Sequence, residues 1–107
     1  MTDCSPHSPS NMGPADSVLR ELLPEFFTIW DRDLCNATSE ILDRSDSDAL
    51  YRFGHTIKGS MMQFGFRDLA LFGIEIMRDA ERADFPAAAE RIAMLQQQLH
   101  VIRRQFV

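Results

Sequence analysis

The residues best suited to chemistry fall in one short run, His55-Thr56-Ile57-Lys58-Gly59-Ser60. A neutral imidazole is a good nucleophile near pH 7, where a lysine amine is protonated. Lys58 lies three residues after His55, one turn away if the run is helical. From there it can neutralise an anionic group carried on the imidazole and hydrogen-bond its oxygens. A phosphoryl group is such a group, and phosphate on nitrogen leaves readily. His55 could therefore accept and pass on phosphate without a base of its own. Charge supports this placement. Of 11 basic residues ten are arginine, and Lys58 is the single lysine. A compact ammonium suits a position beside a phosphate. Arg52, Lys58 and Arg67 are basic, and no acid occurs between Ala49 and Arg67, in a chain of net charge -5.

The elements that must position this run read as helices throughout. Asp16 or Ser17 caps a short first helix through Leu23, and Pro24 fits the first turn of a longer one reaching about Asp43. Phe27, Trp30, Leu34, Ala37 and Ile41 recur along it at helical spacing. The polar break at Arg44–Asp48 leads to a third helix, capped by Ser47 or Asp48, running through Phe64 and closed by Gly65 in the left-handed conformation. A further helix over about Arg67–Ala83 carries Leu69, Phe72, Gly73, Ile76 and Ala80. The last starts near Asp84 and Pro86 and buries Ala88, Ile92, Leu95, Leu99, Ile102 and Phe106. No segment alternates with period two. The expected fold is all-α: an antiparallel four-helix bundle over residues 16–107 with a short extra N-terminal helix. Residues 1–15, with Pro6, Pro9, Pro14, Gly13 and three serines, read as a flexible tail. Cys4 and His7 lie within it, too few ligands for a tetrahedral metal site.

With helical geometry of about 100° per residue, the third helix divides into two faces. Leu50, Phe53, Ile57, Ser60, Met61 and Phe64 gather opposite His55 and form the core stripe, so His55 points to solvent. Tyr51, Lys58, Gly59 and Met62 share its strip, with Gln63 at the margin. Gly59 costs about 1 kcal/mol of helix stability relative to alanine. On an exposed face it leaves room for a partner's backbone or loop to reach the imidazole. Close helix packing accounts for Gly54 no worse than such an approach does, but it fits Gly59 poorly, because Gly59 is on the exposed face.

His55-Thr56-Ile57-Lys58-Gly59-Ser60, followed by Gly65, resembles the H-x-x-K-G-[ST] signature of histidine-containing phosphotransfer (HPt) domains, and the helical pattern from Asp16 to Val107 is similar to theirs. The resemblance implies a phosphorelay intermediate rather than an enzyme. His55 is then the phosphoacceptor, taking phosphate on Nε2 from a receiver-domain aspartyl phosphate and returning it to another receiver. Lys58 neutralises the phosphoryl charge, Gly59 gives clearance for docking, and Gln63 is a candidate hydrogen-bond donor to phosphoryl oxygens. Tyr51, Arg52 and Met62 are the candidate docking residues. Ser60 falls on the core side, where its hydroxyl is expected to bond a backbone carbonyl. Met61 and Met62 are bulkier than the alanines common in the family, a departure that bears on partner choice. Partners implied are receiver domains of response regulators and hybrid sensor kinases. No cofactor is expected in this chain, Mg²⁺ being held by the partner.

Two other readings stand beside this one. A sensor-kinase dimerisation domain carries an acid directly after its histidine, whereas Thr56 follows here, and no residues remain for an ATP-binding domain. A non-phosphorylated binding bundle would dock a partner through the exposed Tyr51/His55/Met62 face. Composition excludes other classes. An acidic balance argues against nucleic acid, no apolar run is long enough for a membrane span, and the absent signal pattern points to the cytoplasm. With no second exposed apolar stripe, a monomer is expected. His100 reads as a solvated or boundary residue and Cys35 as half-buried. Glu40, Asp43, Asp46 and Asp48 read as solvated surface and caps.

Overall fold

The computed structural model describes residues 12–106, and every regular element among them is helical. They are α1 (Ser17–Glu21), α2 (Leu23–Ala37), a π-helical turn (Thr38–Leu42), α3 (Ser47–Gln63), α4 (Arg67–Glu81) and α5 (Phe85–Phe106). α3 packs on α4, α4 on α5, and α2 on α5. α2 and α3 meet through side chains, with Phe26 against Phe64 (4.3 Å between ring centroids) and Trp30 against Phe53 (6.0 Å). No helix among the described residues is long and apolar enough to cross a membrane.

The caps show why each helix starts and stops where it does. The Asp16 carboxylate accepts from the Val18 and Leu19 amides, as expected, and α1 ends at Glu21 so that Pro24 enters the first turn of α2. The expected continuous helix to Asp43 instead widens after Ala37. The Asp43 amide bonds the Thr38 carbonyl five residues back, and both Ile41 and Leu42 pack against the core. The cap of α3 is Asp46 rather than Ser47 or Asp48. Its carboxylate reaches the Ala49 amide at 3.0 Å, which leaves Asp48 in the first turn, where a negative charge suits the helix dipole.

At the other end of α3, Gly65 takes φ +79° as expected. The Gly65 amide bonds the Met62 carbonyl and the Phe66 amide bonds the Met61 carbonyl, satisfying two orphan acceptors. α4 stops two residues before Ala83, which adopts φ +52° without being glycine. The Asp84 amide then bonds the Asp79 carbonyl at 2.8 Å, and the Asp84 side chain caps α5 through the Ala87 amide.

Nineteen apolar side chains form one buried cluster drawn from α2 to α5. Burying a large apolar side chain contributes about 1.5–3 kcal/mol, so this cluster is the main source of stability. Phe66, which the sequence places in a joint, is fully buried and meets the rings of Phe26, Phe27 and Phe106. It plugs the end of the helical assembly. Residues 1–11 of the expected tail, with Cys4 and His7, lie outside the described residues. Residues 12–15 run along that same end: Pro14 is buried, the Gly13 amide faces the Gly65 carbonyl at 3.4 Å, and a Cβ on Gly13 would meet the Phe106 ring.

Candidate functional site

The midpoint of α3 carries His55, and the helix presents it to solvent. The reason is local. Leu50, Ile57 and Met61 are fully buried, and Phe53 and Phe64 pack against the core at its margin, so the opposite face must be open. Tyr51, Arg52, Lys58, Gly59, Met62 and Gln63 are all exposed with His55, and every candidate site residue lies on this one strip. Tyr51 and Met62 keep 40% and 49% of their surface, which makes them apolar ground on either side of the imidazole. Thr56, the residue after His55, turns its hydroxyl back to the Arg52 carbonyl at 2.9 Å and so is satisfied within the helix.

The two glycines of α3 have opposite surroundings. A Cβ on Gly59 would meet nothing within 4 Å. No packing among the described residues requires glycine there. A Cβ on Gly54 would stand 2.8 Å from the Gly73 carbonyl oxygen and 3.0 Å from the Met77 amide, so there α3 and α4 touch backbone to backbone. One glycine is a clearance in the surface and the other is a seam.

Two hollows flank the strip, and His55 lines neither. Between α2 and α3 lies a groove of about 360 Å³ walled by Leu22, Phe26, Ile29, Trp30 and Phe64, with Thr56 and Ser60 on the α3 side and Glu25 and Asp33 on the α2 side. Leu22 and Ile29 remain 42% and 38% exposed along it. Sequence reading missed this groove, because it exists only where two helices stand apart. Ser60 lines it, and its hydroxyl forms no hydrogen bond to a described residue, contrary to the expected backbone bond. The second hollow, about 310 Å³, is bounded by the 12–15 segment, Arg20, Met62, Gly65 and Arg67. An imidazole on an open helix face that lines neither hollow is accessible to a partner's surface rather than enclosed around a small substrate.

Other residues singled out by type lie apart from this strip. His100 is exposed on α5 beside Phe27, Asp31 and Gln96. Cys35 is exposed rather than half-buried, and the Gln96 amide approaches its sulfur at 3.5 Å. Among the described residues no group of three or more His, Cys, Asp and Glu could hold a metal ion.

Residues 19–105 match the family model of the Hpt domain. The chain belongs to the Hpt domain family. Searches of curated proteins and of solved structures match nothing. Hpt domains are phosphotransfer modules of two-component phosphorelays; they interact with receiver domains and carry no kinase activity of their own. The matched span of this Hpt domain takes in α2 to α4 whole and nearly all of α5, and leaves the 12–15 segment outside.

Proposed function

We propose that this Hpt domain is a phosphorelay intermediate whose phosphoacceptor is His55. The observation that carries the reading is the exposed imidazole at mid-helix, with open space over Gly59 one turn on. In transfer, an imidazole nitrogen attacks the phosphorus of a receiver's aspartyl phosphate, a P–N bond forms and the aspartate carboxylate leaves. Return to a second receiver reverses these roles. Lys58 neutralises the phosphoryl oxygens, Gly59 admits the receiver's loops, and Gln63 supplies a further hydrogen bond. Tyr51, Arg52 and Met62 make the docking ground, in an antiparallel four-helix bundle acting as a cytoplasmic monomer. The chain needs no cofactor, since Mg²⁺ belongs to the receiver. It binds neither nucleic acid nor membrane, consistent with its net charge of -5.

The test is incubation with a phosphorylated receiver domain, following acid-labile, base-stable label. His55→Gln is expected to keep its helical content and lose all label. Label that persists in the variant overturns the assignment. Docking without label on the wild type would favour the plain binding module using the Tyr51/His55/Met62 face.

A further inference from the structure

The contact between α3 and α4 falls under the turn that links the two proposed phosphotransfer residues. In an α-helix the Lys58 N–H bonds the Gly54 carbonyl, and His55 is the first residue inside that turn. Gly73 of α4 sits directly on this bond. A Cβ placed on Gly73 would lie 2.5 Å from the Gly54 oxygen, 2.6 Å from the Lys58 nitrogen and 3.0 Å from the Lys58 Cα. The α4 backbone thus touches both ends of one peptide hydrogen bond, and Lys58 at two atoms. On its other side α3 faces α2 through side chains and an open groove. The turn is therefore set from α4. Lys58 itself is exposed, so no side-chain packing fixes its ammonium, and the position of its Cα governs where that group can reach.

We propose that Gly73 is a positioning residue for phosphotransfer: its missing side chain lets the α4 backbone seat the Lys58 end of the α3 turn, and so places the ammonium against the phosphoryl group on His55. The inference rests on the phosphoacceptor reading above. The three atoms nearest a Cβ at Gly73 are all backbone, so the closest contacts cannot be relieved by turning a side chain. The α3 and α4 backbones must then part by about half an ångström or more at the Lys58 turn, and misplacements on the order of 1 Å cost up to about 100-fold in rate. The three atoms nearest the added carbon belong to Gly54 and Lys58, not to the docking residues Tyr51, Arg52 and Met62.

The experiment is a double-mutant cycle on full-length protein, with Gly73→Ala and Lys58→Ala made singly and together. Transfer from a phosphorylated receiver is measured at saturation and at half-saturation. Gly73→Ala is expected to lower kcat roughly tenfold with KM unchanged within about twofold, and to cost less than about twofold further in the Lys58→Ala background. Ala88→Gly in α5, a helix-weakening control away from the seam, should leave kcat unchanged. If Gly73→Ala is too unstable to study, Gly54→Ala repeats the cycle. Its nearest contact is the Gly73 oxygen at 2.8 Å, and part of the remainder is the flexible Met77 side chain. Equal kcat in Gly73→Ala and wild type, or an undiminished loss in the Lys58→Ala background, overturns the proposal. Direct labelling of wild-type His55 with phosphoramidate, which needs no receiver, separates the two levels: failure there removes the phosphoacceptor reading itself.

Discussion

Arg91 of α5 donates from Nε to the Asp79 carboxylate of α4 at 2.6 Å, and the Asp79 side chain is only 2% exposed. A second guanidinium nitrogen reaches Glu75 at 3.5 Å. The hydrogen bond to Asp79 holds Arg91 above the usual guanidinium pKa, desolvation opposes it, and the charges of Asp79, Glu75 and Asp84 add to the rise. α4, the helix that seats the His55–Lys58 turn, is thereby tied to the last helix.

Removing one partner leaves a buried carboxylate unpaired. Arg91→Ala is expected to cost about 2–3 kcal/mol, toward the low end for a buried pair because Arg91 is a third exposed. Urea unfolding measures it. The double replacement Asp79→Leu with Arg91→Met should recover most of the loss. A raised pKa keeps its stabilisation in full below the unfolded value and loses it only as pH rises through the folded one. For a guanidinium that window is strongly alkaline, so the gap between wild type and Arg91→Ala should stay constant from neutral to mildly alkaline pH.

Lys58→Ala should leave the fold untouched, since the side chain is exposed and the helix continues beyond it. A charge-assisted hydrogen bond to a phosphoryl oxygen contributes about 1.5–3 kcal/mol, so transfer should slow roughly tenfold or more. Stopped transfer time courses with unchanged melting temperature would agree. Equal rates would remove the neutralising role.

Gly59 and Gly65 predict opposite signs. At Gly59 the surrounding space is empty, so Gly59→Gln should raise stability by about 0.5 kcal/mol through helix propensity. The same substitution should weaken receiver binding, measurable by titration calorimetry. Binding as tight as wild type would end the clearance role.

Gly65→Ala should do the reverse. Its φ of +79° costs an alanine about 1–2 kcal/mol, and the new Cβ would run into the backbone of Gly13. Thermal unfolding should show the loss, while label on His55, about ten residues back along the helix, should persist in folded protein.

Much of the site was legible in the residues because it occupies one face of one helix. The period of α3 alone put Leu50, Ile57 and Met61 inside and His55, Lys58 and Gly59 outside, and all six lie where that period places them. Gly65 was legible for a similar reason, since a left-handed terminator is a local demand of the backbone. Asp46 as cap and the π-helical turn at Thr38–Leu42 were not. Neighbouring polar residues compete for a cap on nearly equal terms, and helix widening depends on what the core admits.

Periodicity within a helix is dictated by the chain's own geometry, so the sequence by itself determined the helical class, the open face of α3 and the placing of His55 and Lys58 one turn apart on it. Contacts between helices depend on distances that no local spacing encodes. Only the tertiary structure decided that Gly54 meets Gly73 under the Lys58 turn, that Phe66 plugs the end of the assembly, and that Arg91 reaches Asp79. It also decided that α2 stands far enough from α3 to leave an apolar groove beside the exposed His55 strip, because two bulky aromatic pairs hold those backbones apart while two glycines draw α3 onto α4.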